Sequence, residues 1–218
     1  MAVALLLFAQ RRPAQTHTEG YREVVDLTHS GALMVRGEHL DAAAYGTRLD
    51  APIEREHGEW TPEPVSPDRL VAPLAVLDVS AKAAADPDYQ VSLADVARWE
   101  EIHGQIPAGA VVIARTGWKT PEVLSKTPQQ HPAYSTDAVE FLARAREVYG
   151  IGIDAPALDL ANAPEMPVRR YLGEQHIYGL ANVANLDEAP AAGAVVVVAP
   201  TVIRNAAGAP ARVLALVK

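Results

Sequence analysis

The 218-residue chain contains no cysteine. Disulfides, thiolate nucleophiles and cysteine-based zinc sites are therefore excluded. Positive charge is in deficit. The net charge is −8 and the pI is near 5.3, which argues against a general binder of nucleic acid or of anionic membrane, because phosphates would be repelled. No apolar run is long enough to span a bilayer. The run from Ala2 to Ala9 is followed by Arg11 and Arg12, whereas a secretory signal places its positive charge first. This run reads as an element end or an N-terminal extension, with a signal-peptide remnant as the alternative, and a cytoplasmic protein is expected. There is no P-loop and no Gly-x-Ser-x-Gly elbow. Gly150-x-Gly152 lacks the third glycine and the helix start of a dinucleotide loop. No internal repeat stands out.

Hydrophobic residues make up 49% of the chain and charged residues 21%, ordinary values for a globular protein. The length suits one well-buried domain or at most two small ones. Strand-length apolar runs rich in Val and Ile occur at Glu23–Leu27, Leu74–Val79, Ala110–Ala114, Gly150–Ile153, Ala194–Ala199 and Arg212–Val217. Ser92 with Asp95 predicts a capped helix whose spacing is carried by Leu93, Val96, Ala97 and Ile102. Ser135 predicts a second, with Ala138, Phe141, Leu142, Ala145 and Val148 on one face and Gly150 after its end. Thr61 to Pro73 holds four prolines and reads as an ordered surface loop. Ala189 to Gly193 reads as a turn. The pattern predicts an α/β or α+β single domain, with residues 1–20 as an extension and 21–218 as the domain.

The most informative stretch is Ala44-Tyr45-Gly46-Thr47-Arg48-Leu49-Asp50-Ala51-Pro52-Ile53-Glu54. It resembles His-x-Gly-Thr-His-x-Asp-x-Pro-x-His, the signature of the cyclase family, which includes kynurenine formamidases and isatin hydrolases. Further segments resemble the family's motifs in the same order. They are Asp26-Leu27-Thr28-His29, Arg115-Thr116-Gly117-Trp118, His131-Pro132, Gly150-x-Gly152-x-Asp154 with Leu158-Asp159, and Tyr178-Gly179-Leu180-Ala181-Asn182. The resemblance implies a swivelling β/β/α fold assembled as a homodimer or homotetramer. It also implies a divalent metal held by the first two His and the Asp of the signature, plus a later His and Glu twelve residues apart. The last His of the signature would act as acid/base.

In this chain the three signature His positions carry Ala44, Arg48 and Glu54, and the later pair carries Arg169 and Ala181. Of the implied ligands only Asp50 is of a ligand type. A methyl or guanidinium group has no lone pair for a metal, so neither metal nor cofactor is expected. Two guanidiniums would supply positive charge instead, and Arg stays charged when buried. Arg48 and Arg169 are expected to neutralise Asp50 and Glu54 and to bind a ligand's oxygen. Glu54 and Asp50 are the candidate catalytic groups. Arg48, Arg169, Tyr45, His29 and Trp118 are the candidate substrate-binding groups.

A patched ion-pair network without chemistry is the competing reading of the same residues. His29 and His131 are expected near the pocket, His131 at its mouth or at a strand end. His39 and His176 do not match ligand spacings, and His17, His57 and His103 read as solvated. Lys119 to Pro132 reads as a lid or an ordinary loop. Three functions remain. One is a metal-independent enzyme acting on a small carbonyl or amide compound by cyclisation, isomerisation or lyase-type proton transfer. Another is a ligand-binding protein without turnover. The third is a metal-dependent hydrolase of cyclic amides or N-formyl compounds with a rebuilt site.

Overall fold

The computed structural model describes residues 20–29, 46–51, 65–119, 130–201 and 208–218, together with the backbone of four short strands between positions 35 and 62. In chain order the first six strands are β1 (Glu23–Asp26), β2 (Val35–Arg36), β3 (His39–Leu40), β4 (Arg48–Asp50), β5 (Ile53–Glu56) and β6 (Glu59–Pro62). Next come β7 (Val71–Asp78), helix α1 (Ser80–Ala85), β8 (Gln90–Val91), α2 (Leu93–His103), β9 (Val111–Arg115) and β10 (Ala133–Tyr134). The chain ends with α3 (Thr136–Arg146), β11 (Gly150–Ile153), α4 (Pro167–Glu174), β12 (Tyr178–Ala181), β13 (Val195–Pro200) and β14 (Gly208–Val217).

Seven strands close on themselves in the order β14-β13-β7-β9-β11-β12-β4 and back to β14. Four of them, β7, β9, β11 and β12, run parallel. Closure depends on the length of β14. Its Gly208–Pro210 stretch pairs with β4, and its later residues pair with β13 and β1. Strand alternation then sorts side chains into two cores. Leu74, Val76, Val111, Ile113 and Leu180 fill the barrel interior. Ala75, Leu77, Val112, Ala114 and Ile151 face outward under α2, α3 and α4. Each fully buried Val, Leu or Ile contributes about 1.5–3 kcal/mol. On β11 the interior positions are Gly150 and Gly152. A Cβ at Gly150 would come 2.4 Å from the Tyr178 ring, and one at Gly152 would come 3.1 Å from Ile113 and Leu180. Gly150 makes room for Tyr178 inside the barrel, and Gly152 for Ile113 and Leu180.

The strand expectations hold, with β14 beginning earlier than the apolar pattern suggests. Both capped helices form. Ser92 and Asp95 make a reciprocal capping box, and Ser135 accepts from the Ala138 N–H. Three local expectations need correction. The buried face of α2 is Val96 and Trp99, while Leu93 and Ile102 are 43% and 59% exposed. The Trp99 indole donates to the Val76 carbonyl at 2.9 Å, which fixes the helix's rotation. Helix α3 stops at Arg146 with Glu147 left-handed at φ 50°, so Gly150 already belongs to β11, and Ala145 is exposed. Thr61 to Pro73 is not one loop. It includes the end of β6, a 3-10 turn at Pro67–Arg69 and the start of β7. Pro73 is tolerated there because pairing with β9 begins only at Leu74. Helices α1 and α4 had no counterpart in the sequence pattern. No described helix is long and apolar enough to cross a membrane.

Candidate active site

On β4, Leu49 points into the barrel core and is buried. Arg48 and Asp50 therefore face outward. Register sets what flanks them. Asp50 stands opposite Gly179 of β12 and Gly208 of β14, one glycine on each neighbouring strand. A Cβ at Gly208 would lie 2.9 Å from Asp50 Oδ1, and one at Gly179 would lie 3.4 Å from its Cβ. A side chain at position 208 would crowd the carboxylate, and one at 179 would crowd Leu158 beside it. Arg48 stands opposite Ala181 and Pro210. Its Nε meets Asp50 Oδ1 at 3.2 Å and its Nη2 donates to the Pro156 carbonyl at 2.6 Å. The side chains are 15% and 13% exposed, so the pair is more shielded than a surface ion pair.

The carboxyl ends of the parallel strands meet this face. Past β9, the backbone N–H groups of Thr116 and Gly117 and the Thr116 hydroxyl donate to Asp154, at the end of β11, over 2.5–3.0 Å. Burial pushes the Asp154 carboxyl above its usual range, against the lowering by these donors. Trp118 follows, half-buried, with its N–H on Thr116 Oγ1. Asp159 accepts from the Val168 N–H at 2.7 Å and the Arg169 N–H at 3.0 Å. It thereby caps the start of α4, whose residue before Pro167 offers no side-chain cap. Burial raises the Asp159 carboxyl as well, opposed by its two amide donors and by the charges of Arg169 and His131.

The segment from Pro156 to Asp159 links these groups. Pro156 holds Arg48, Leu158 lies against Gly179 beside Asp50, and Asp159 holds the backbone of Arg169. The Arg169 Nε is buried without a hydrogen-bond partner. On the other side, the His29 N–H donates to Thr47 Oγ1 at 2.9 Å, and that hydroxyl donates to the Asn182 carbonyl at 2.5 Å.

Of the candidate residues, the structure joins Arg48 to Asp50 and ties the backbone of Arg169 to Asp159, in the same 156–159 segment whose Pro156 carbonyl holds Arg48. His29 reaches the site through its backbone, and its side chain is exposed. Glu54 is described by its backbone alone, opposite Thr61 in the β5–β6 hairpin, with α4 packed against β5. Whether Arg169 or Arg48 pairs with its carboxylate lies outside the described residues, as do Tyr45, residues 120–129 of the lid segment, and residues 1–19. Of the two places expected for His131, the structure gives the strand end. The residue is buried, 5% exposed, just before β10 and within electrostatic reach of Asp159, not at an open mouth. His103 is exposed but tilts against Trp99, the ring centroids 4.9 Å apart. Sequence reasoning assigned no role to Asp154 and Asp159. Their signal was membership of the Gly150-x-Gly152-x-Asp154 and Leu158-Asp159 motif, which names no partner, and their donors lie in other segments of the chain.

A family model described as Putative cyclase matches residues 16–160. The chain belongs to the cyclase family. Among curated cyclase-family relatives, isatin hydrolase of Roseibium aggregatum is 34% identical over 199 residues, covering 84% of this chain and 73% of the relative. Isatin hydrolase A from Labrenzia aggregata, solved bound to benzyl benzoate, superposes with a TM-score of 0.74 at 28% identity, over 89% of this chain and 93% of that one. Isatin hydrolase A from Ralstonia solanacearum gives 0.75 at 28% identity, over 90% and 92%. The mixed α/β barrel is the cyclase-family fold.

The resemblance implies a divalent metal at Asp50. The described residues do not fit one. Arg48 and Ala181, which stand opposite each other, offer no lone pair to a metal, and Asp50 Oδ1 already accepts from the Arg48 guanidinium. Among the described residues no three His, Cys, Asp or Glu side chains converge.

Proposed function

We propose that this cyclase-family chain is a metal-independent enzyme acting on a small carbonyl or amide compound by cyclisation, isomerisation or lyase-type proton transfer. The observation that carries this reading is the Arg48–Asp50 pair seated between two glycines. Fixed guanidinium charge occupies the carboxylate that would otherwise hold the ion. In this reading Arg48 and Arg169 bind and polarise the substrate's oxygen. Asp50 orients Arg48. Glu54, at the signature's acid/base position, moves the proton, and Trp118, Tyr45 and His29 border the substrate. The substrate is a small molecule, the protein a cytoplasmic homodimer or homotetramer, and no cofactor is used.

A second reading is hydrolysis of a cyclic amide, favoured by the 34% identical isatin hydrolase. Elemental analysis of the purified protein separates the two. Turnover of a cyclic amide or keto compound that survives chelator and disappears in Glu54→Gln supports the first. Stoichiometric manganese or zinc, with activity lost to chelator, overturns it in favour of the second.

A further inference from the structure

Arg169 differs from Arg48 in what holds it. Arg48 is engaged by Asp50 and by the Pro156 carbonyl. Arg169 is held by its backbone, whose N–H goes to Asp159 Oδ2 at 3.0 Å. Its side chain enters no hydrogen bond or ion pair among the described residues, and its Nε is buried and unpartnered. A guanidinium offers five donors and no acceptor. Withdrawing one of them from water without a partner is unfavourable, and buried polar groups left open in a native fold point to a missing partner.

The start of α4 cannot supply that partner, because a helix start presents N–H donors, here given to Asp159, and a guanidinium needs an acceptor. Among the described residues no neighbouring carboxylate supplies it either. The Asp159 oxygens accept backbone amides, and Asp50 Oδ1 accepts from Arg48. Asp159 and the packing of α4 on β12 hold the arginine's backbone on the face that carries Arg48 and Asp50. Its planar fork matches a carboxylate better than a single carbonyl oxygen.

We infer that Arg169 is the recognition residue for a carboxylate group on the substrate, so that the site takes a small organic anion and not a neutral amide alone. This inference rests on reading the outer face of β4 and β12 as the substrate site. Benzoate and benzamide have nearly the same shape and differ in charge, so they isolate the effect. Isothermal titration of the intact protein with each is the test. Saturable benzoate binding is expected, with benzamide weaker by about tenfold or more, the factor that goes with one charge-assisted hydrogen bond. Arg169→Ala should lose that preference, and Arg169→Lys should keep part of it.

Circular dichroism and the melting temperature of each variant identify a folding failure. If Arg169→Ala does not fold, Arg169→Gln, a shorter polar side chain that removes the charge, takes its place. Equal affinity for benzoate and benzamide in the wild-type protein overturns the inference. So does benzoate affinity unchanged in whichever of Arg169→Ala and Arg169→Gln folds. Metal content decides the separate question of the cation at Asp50. A metal-bearing protein whose benzoate preference vanishes with Arg169 contradicts the metal-free reading and supports this one.

Discussion

The four parallel strands treat charge differently at their two ends. At the carboxyl ends, Asp154 and Asp159 are buried and receive backbone amides from Thr116, Gly117, Val168 and Arg169. At the amino ends the charge is a cation. Arg69 lies 4.9 Å over the Tyr149 ring and donates to the His176 carbonyl at 2.7 Å, while the Tyr178 hydroxyl donates to the Arg69 carbonyl at 3.1 Å. One end spends carboxylates to hold the loops that follow β9 and β11. The other closes the barrel with aromatic surface. Loops at the carboxyl ends of parallel strands are where ligands gather in open α/β sheets. Here the same end carries the candidate site, and its buried acids shape backbone instead of facing substrate.

The largest effect expected at either end comes from Asp154→Ala. Three donor groups would lose their acceptor, and each buried unsatisfied group costs about 1–3 kcal/mol, so stability should fall by about 3 kcal/mol or more, read from urea unfolding. A loss below about 1 kcal/mol, the net worth of a single ordinary hydrogen bond, would show that water replaces the carboxylate and that the two ends are not so different. At the amino end, Gly150→Val drives a side chain into the Tyr178 ring, and overpacking of this kind costs about 1–3 kcal/mol. An unchanged melting temperature would mean that Tyr178 can leave the interior.

Next in size is Arg48→Ala, which strands the Asp50 carboxylate in its glycine cradle. A loss of about 1–3 kcal/mol is expected from one unpaired, partly buried charged acceptor. The double variant Arg48→Ala/Asp50→Ala should recover part of it, and a strictly additive loss would remove the coupling. Arg69→Met should cost least, about 1 kcal/mol, because it removes one ring contact and a carbonyl hydrogen bond at a half-exposed site.

The pH dependence sharpens the comparison further. For Asp154 and Asp159 the folded carboxyl holds its proton to higher pH than the unfolded one. Their contribution to stability therefore falls as pH rises from about 3.9, the unfolded value, through the folded value. Glu100 behaves oppositely. The bidentate Arg146 guanidinium lowers it, with burial opposing, so its contribution is present above the unfolded pKa of about 4.3 and is lost as pH falls through the folded value. Urea midpoints across the acid range should show the decline on raising pH flatten in Asp154→Asn and the decline on lowering pH flatten in Glu100→Gln. No change in the first would place the Asp154 titration outside the folding equilibrium.

Much of this protein was legible in one dimension. Six strands, two serine caps and the family signature all rest on short-range patterns: strand-length apolar runs rich in Val and Ile, a capping residue three positions from its partner, and a spaced motif. The helix faces were less legible. Which side of α2 is buried depends on Trp99 finding the Val76 carbonyl on another element, and α4 depends on a cap from Asp159, outside the helix itself. The site divides along the same line. The identities of Arg48, Asp50 and Glu54 at the signature positions are read directly from the motif. The roles of Asp154, Asp159 and His131 are not, because their partners come from distant segments.

What the sequence determined alone is therefore local. It set which residues alternate, where helices begin, and which side chains stand at the signature positions. Tertiary structure decided the rest, because strand register between distant segments has no local code. Closure through β14 places Gly208 on one side of Asp50 and Gly179 on the other. That double pairing gives the carboxylate its space and leaves Arg48 beside it as the partner.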